Sequence, residues 1–273
     1  MESFAGRRVT ILGLGRFGGG AGAARWFAGR GAKVLVSDSA SEESLKESVE
    51  SLNGLAIEFH LGGHRKEDLT GADLVIANPA VPPGAEPLAW AKEAGVAVDT
   101  EINLFFRTFA GDIVGVTGSN GKSTTTALTA SVLRADGRRV FCGGNLGGCV
   151  LEGLDLVPAP VAAVLELSSF QLESLASLKK SPHVAVVTNL TPNHLDRHKT
   201  MEEYAKAKQT ILRHQASHDL LVLNGEDPET SRWGTMARGA RAFIGQVPEG
   251  ASGALYAWRG GEAFVRRVGS ERR

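Results

Sequence analysis

Twice in this chain an apolar run breaks abruptly into glycine and resumes as a helical pattern. Residues 9–20 read VTILGLGRFGGG, with glycine at 13, 15 and 18, and residues 115–124 read GVTGSNGKST. A strand that turns on glycine into a helix aims backbone N–H groups and the positive end of the helix dipole at one spot, a cradle for phosphate oxygens. Each such turn needs a parallel sheet whose carboxyl edge carries the loop, so the chain is α/β twice over.

The remaining pattern agrees. Apolar β-type runs at 9–12, 34–37, 74–77 and 96–98 alternate with helical stretches at 41–52 and 86–94. This predicts an N-terminal Rossmann-like parallel-sheet domain over residues 1–106. Near residue 107 the pattern restarts, with strands expected at 112–117, 139–142, 161–167, 184–189 and 220–224 and a helix at 122–135. These predict a P-loop-type α/β domain over 107–273. Its last part has a different pattern, because residues 240–244 and the stretch YAWRGGEAFV, with Gly260 and Gly261 between alternating segments, read as a small antiparallel addition ending in a hairpin.

Bulk numbers exclude some function classes. Thirty basic residues offset thirty acidic ones, so no net field recruits nucleic acid or an anionic membrane. No run of about 18 apolar residues occurs and the first residues, MESFAGRRVTIL, lack a secretory apolar core, so a soluble cytoplasmic protein is expected. Apolar content of 42% with 22% charged residues is that of an ordinary globular chain. Cys142 and Cys149, without a C-x-x-C or a histidine cluster beside them, read as reduced, packed thiols.

The first loop alone does not name its ligand. Strand, G-x-G-x-x-G, helix and then Asp38, twenty residues past Gly18, form the layout of a dinucleotide site, yet glycine also serves a plain tight turn. The second loop says more. A strict P-loop needs glycine where Val116 stands, but Gly118 and Gly121 still let amides converge on phosphate, Lys122 can neutralise β/γ-phosphate charge, and the Ser123 hydroxyl can meet Mg²⁺. Gly118, Ser119, Asn120, Gly121, Lys122, Ser123 and Thr124 are therefore the expected ATP-binding residues; the bland alternative is a glycine turn followed by a solvated lysine.

GVTGSNGKST resembles the ATP loop of the Mur ligases, ATP-dependent amide ligases of peptidoglycan precursor synthesis. Further matches follow in order: GGNLG at 143–147, LELSSFQLE at 165–173, TNLTPNHLDRH at 188–198 and YAKAK at 204–208. The form LELSSFQLE is similar to the branch that adds D-glutamate to UDP-N-acetylmuramoyl-L-alanine. The resemblance covers nearly the whole chain. It implies transfer of the ATP γ-phosphoryl group to a carboxylate, giving an acyl phosphate that an incoming amine displaces.

The same resemblance implies roles. Ser123 and Glu166 would hold one Mg²⁺ and His194 a second, with Lys122 and His194 serving catalysis. Lys208, four residues after Tyr204, matches a lysine that CO₂ carbamylates into an anion that helps position metal; Lys206 does not fit the spacing. Such a reaction needs an uncharged amine, hence a depressed lysine pKa. Asn193 stands where the family usually carries an acid, which bears on tuning of the metal, and Asp196 is a weaker candidate for orienting neighbours. Leu14, Gly15, Arg16 and Phe17 would lie under the diphosphate or uracil, Asp38 and Ser39 at the uridine end, and Asn78 and Asn145 along the same substrate. On this reading the first loop holds a UDP-sugar rather than NAD. The family's third, C-terminal domain, which serves the incoming D-glutamate, has no counterpart in these residues, and the central domain's last elements are also lacking. The chain is thus expected to be an N-terminal portion with impaired or no turnover. Two other readings stay open: another Mur or folylpolyglutamate-type amide ligase, and a non-catalytic nucleotide-binding module.

Overall fold

A computed structural model describes residues 3–16 and 18–246, together with the backbone of strands at 252–259 and 262–268. The chain divides into two compact units, Met1–Ala110 with Gly143–Ala159, and Gly111–Cys142 with Pro160–Arg273.

In the first unit, strands β1 (Arg8–Leu12), β2 (Lys33–Asp38), β3 (Ile57–Leu61), β4 (Leu74–Ala77) and β5 (Ala97–Asp99) form one sheet in the order β3-β2-β1-β4-β5. Every neighbouring pair is parallel. The helices are α1 (Gly19–Ala28), α2 (Lys46–Glu50), α3 (Lys66–Thr70), α4 (Glu86–Glu93) and α5 (Glu101–Thr108). All four residues of β4 are buried, as expected of a parallel strand covered on both faces. Leu12, Leu69, Ala72, Val75 and Ala91 form a core between sheet and helices, and Phe4, Trp26 and Phe27 pack edge to face. Strand order reverses between β1 and β4, which makes the carboxyl ends of those two strands the natural ligand crevice of the unit.

The second unit holds β6 (Asp112–Thr117), β7 (Val140–Gly144, which runs into the first unit), β8 (Ala162–Glu166), β9 (Val184–Val187), β10 (Leu220–Asn224), β11 (Ala240–Ile244), β12 (Ser252–Arg259) and β13 (Glu262–Val268). Among the described residues they form an eight-stranded sheet in the order β13-β12-β11-β10-β9-β6-β8-β7. Its helices are α6 (Lys122–Ala135), α7 (Ser169–Leu178), α8 (Leu195–His198), α9 (Met201–Arg213) and α10 (Pro228–Arg232). Val114, Val116, Ala130 and Val164 are at the centre of its core.

Two expectations change. Residues 240–244 were expected to be antiparallel, but β11 runs parallel to both β10 and β12. The intervening α10 and the 3₁₀ turn Trp233–Met236 give the connection enough chain to return to the same end of the sheet. Only the β12–β13 hairpin is antiparallel, and its Gly260 and Gly261 lie outside the described residues. The second change concerns segment 143–159, which packs with the first unit rather than continuing the second. Cys149, Val150 and Leu151 are buried there, and a Cβ on Gly22 of α1 would fall 2.4 Å from the Cys149 Cβ, so glycine on α1 is what lets the segment come this close. Both cysteines are free thiols. No helix among the described residues is long and apolar enough to cross a membrane.

Candidate active site

In the second unit the carboxyl ends of three adjacent strands converge. The central strand β6 delivers the glycine loop, β8 ends on Glu166, and β9 leads into residues 188–191. The loop is clamped against that last segment. Ser119 N donates to the Asn189 carbonyl at 3.0 Å, and Asn120 N to Asn189 Oδ1 at 2.9 Å. Thr188 Oγ1 donates to the Asn120 carbonyl at 2.7 Å, and Thr191 N to Ser119 Oγ at 2.9 Å. A Cβ on Gly118 would lie 1.9 Å from Thr188 Oγ1, and its φ of 148° is closed to other residues, so glycine is obligatory.

This clamp sorts the expected ATP ligands. Ser119 is buried with its hydroxyl engaged by Thr191, and it braces the loop. The amides of Ser119 and Asn120 are likewise taken. The first bond internal to α6 is Thr125 N to the Gly121 carbonyl, which leaves the amides at 122–124 for an anion at the helix start. Lys122 is half-buried and donates its Nζ to the Ser119 carbonyl at 2.9 Å, while Ser123 and Thr124 are exposed at the loop's mouth.

Four of the predicted residues meet here. Ser123 Oγ donates to Glu166 Oε2 at 2.6 Å. From α9, Lys208 reaches under the loop, where Nζ donates to the Gly118 carbonyl at 2.9 Å and to Thr117 Oγ1 at 3.3 Å. Only 2% of Lys208 is exposed, and its amine lies 4.6 Å from the centre of the Tyr204 ring. Burial, and next the charge of Lys122, pull its pKa down to about 7, against a smaller opposing pull from Glu166. A neutral amine has two N–H groups and one lone pair; the two acceptors match the N–H groups and leave the lone pair unused.

His194 stands apart from this group. It is exposed, in the left-handed conformation (φ 52°) just before α8, with its ring tilted against Phe170 at 5.2 Å and edge-on to Tyr204 at 6.4 Å, the ring that also covers Lys208. Asp196 is exposed, and Asn193 Oδ1 accepts from the His194 amide. Around them lies a network that motif reading missed. His198 is buried, with Nε2 2.9 Å from Ser169 Oγ, and its proton affinity is lowered by burial. Arg197 pairs with Glu173 at 3.2 Å and lies 4.2 Å over the Phe170 ring. The signal was present in the letters of LELSSFQLE and NHLDRH, but their pairing becomes visible only once α7 packs on α9. Among the described residues no three His, Cys, Asp or Glu side chains converge on one point. The hard oxygens of Ser123 and Glu166 are the donors best suited to magnesium.

In the first unit Gly13, Gly15 and Gly18 all have positive φ, so the glycine spacing is a backbone requirement. Asp38 is committed to the loop itself: Oδ2 accepts from Leu14 N at 2.7 Å and Gly15 N at 3.2 Å, and Oδ1 from Ala40 N. Those two amides are therefore not free for a diphosphate, and the Leu14 side chain is wholly buried. Asn78 lies against the loop, 3.3 Å from where a Gly15 Cβ would stand, and its Oδ1 accepts from Ala80 N. Arg16 and Ser39 are exposed at the loop's rim, and Phe17 lies outside the described residues. Asn145, exposed, belongs to segment 143–159, whose Gly148 amide lies 3.5 Å from where a Gly18 Cβ would stand.

A parallel-sheet unit with a phosphate-type loop, followed by a second with a clamped G-K-S-T loop and a buried lysine, defines a class of nucleotide-handling α/β protein. Comparison with known proteins makes it particular. Residues 7–99 match the Mur ligase MurD-like N-terminal domain and residues 116–247 the Mur ligase middle domain. The chain belongs to the Mur ligase family. It is 45% identical over 224 residues to a UDP-N-acetylmuramoylalanine–D-glutamate ligase of Roseiflexus sp. (strain RS-1), covering 82% of this chain and 48% of that protein. A ligase of the same name from Geotalea uraniireducens (strain Rf4) is 38% identical over 97% of this chain and 57% of its own length. The chain thus spans about half the length of the curated relatives it matches. The fold is shared with a UDP-N-acetylmuramate:L-alanyl-γ-D-glutamyl-meso-diaminopimelate ligase from Neisseria meningitides, at 17% identity and a TM-score of 0.66, over 96% of this chain and 85% of that one.

Proposed function

We propose that this chain carries the two nucleotide sites of an ATP-dependent ligase that joins D-glutamate to UDP-N-acetylmuramoyl-L-alanine. The observation that carries the reading is the joint placement of Lys122, Ser123, Glu166 and Lys208 around the start of α6. ATP phosphates would be seated by the amides at 122–124, with Lys122 swinging from the Ser119 carbonyl to the β/γ-phosphates. The substrate carboxylate attacks the γ-phosphorus, ADP leaves, and the acyl phosphate is then attacked by the amine of D-glutamate, with loss of phosphate and a proton. Magnesium, when bound, neutralises charge between the phosphate oxygens; Ser123 and Glu166 would hold one ion, and His194 with a carbamylated Lys208 a second. Carbamylation is supported by the buried amine: its lone pair attacks CO₂ and an N–H proton departs to solvent. The first unit would take the UDP moiety over its glycine loop, with Arg16, Ser39, Asn78 and Asn145 around it, as expected of a cytoplasmic nucleotide substrate.

The residues described are assigned binding of both nucleotides, and the chain matches about half the length of each relative. Calorimetric titration should detect UDP-N-acetylmuramoyl-L-alanine and Mg-ADP binding at separate sites, with Lys122→Ala weakening ADP by roughly tenfold or more. Failure of both ligands to bind would refute the assignment.

A further inference from the structure

The crevice between the carboxyl ends of β1 and β4 contains a buried acid that none of the roles above uses. Glu101 opens α5 and is only 7% exposed, and its Oε2 has no hydrogen-bond partner among the described residues. The side chain lines a small cavity with Gly13, Gly19, Gly20, Asn78 and Pro79, whose free volume of about 10 Å³ is at the threshold for one water molecule. A Cβ on Gly19 would lie 3.4 Å from Glu101 Oε1, so the carboxyl faces the first residue of α1, where helix amides lack partners of their own.

The groups around Glu101 decide which form it takes. From segment 143–159 the Cys149 thiol and the Val150 amide bond to the carboxyl, and Glu152 adds negative charge. The cavity's lining from α1, β1 and β4 is glycine and apolar residues with Asn78, and no basic group is among those acting on Glu101. Burial, the largest influence, raises its pKa. The positive end of α1 favours an anion, but by less than the cost of a buried, half-unpaired carboxylate. A diphosphate on the same helix end would tip the balance further toward the acid.

We propose that Glu101 is a hydrogen-bond donor of the nucleotide cleft, giving its carboxyl O–H, through one bridging water, to the diphosphate of a nucleotide-sugar seated on the first glycine loop. The proposal rests on the UDP-binding reading of the first unit. A neutral acid there satisfies its own buried oxygen without setting one negative charge against another.

The test is calorimetric titration of UDP-N-acetylmuramoyl-L-alanine, whose ionisation is constant between pH 5.5 and 8.5, into the 273-residue protein, Glu101→Gln and Glu101→Ala. Expected is a wild-type affinity that falls with rising pH by up to about tenfold per unit, the limit for one linked proton. Glu101→Gln, which keeps a donor of the same shape, should hold the low-pH affinity within roughly threefold and lose the pH dependence, while Glu101→Ala should be weaker throughout. Melting temperatures of both variants establish that they are folded. Parallel pH profiles for wild type and Glu101→Gln would overturn the proposal while leaving the UDP site standing. A wild-type protein that binds no substrate at any pH would overturn both.

Discussion

Burying the Lys208 amine beneath Tyr204 costs the folded chain stability for as long as the amine carries its charge. Its pKa of about 7 lies below the ordinary 10.5, so between those values the unfolded chain holds the extra proton and stability rises with pH across that window. Lys208→Met removes the titration. In bicarbonate-free buffer this variant should melt above the parent at pH 7, with the gap closing toward pH 10; a gap independent of pH would mean that the amine is not perturbed in this way. The residue's spacing from Tyr204 could be read in the sequence, but its burial could not, because YAKAK alone describes a solvated helix face. Asp38 carries the opposite lesson. Its distance from Gly18 suggested a ligand contact, whereas the folded loop takes three of its acceptor sites, a use that letters twenty positions apart do not reveal.

Among the elements, α7 has a complete capping box. Ser168 Oγ accepts from Gln171 N at 3.2 Å, and Gln171 Oε1 accepts from Ser168 N at 3.0 Å. The motif that pointed to a chemical branch is thus also a helix start, and α7 goes on to present Phe170 and Glu173 to Arg197 and His198. Ser168→Ala should cost about 1 kcal/mol, read as a lower denaturant midpoint at unchanged slope. Strands with fully apolar buried faces, such as β4 and β10, were legible to the residue, as was α6 behind its glycine. The half-buried β3 (IEFHL) and the five-residue α3 were not expected, since each is too short or too mixed to set a period. The direction of β11 was misread for a different reason: a strand's own residues do not encode the polarity of its neighbour.

For the whole molecule, each unit has a sheet and a core of its own, so heat should melt the chain in two calorimetric steps. Mg-ADP should raise one step and UDP-N-acetylmuramoyl-L-alanine the other, each by about 2.7 kcal/mol at a hundred times its dissociation constant. One transition raised equally by both ligands would contradict independent units.

Segment 143–159 ties the two units together in time. Nascent domains ordinarily fold in order as they leave the ribosome. Here the first unit lacks Cys149, Val150 and Leu151 against α1 and α5 until residue 159 has emerged, by which point β6, α6 and β7 are already outside. The amino-terminal unit therefore cannot finish first: its last piece arrives only after the second sheet has begun, and the two halves must mature side by side during synthesis.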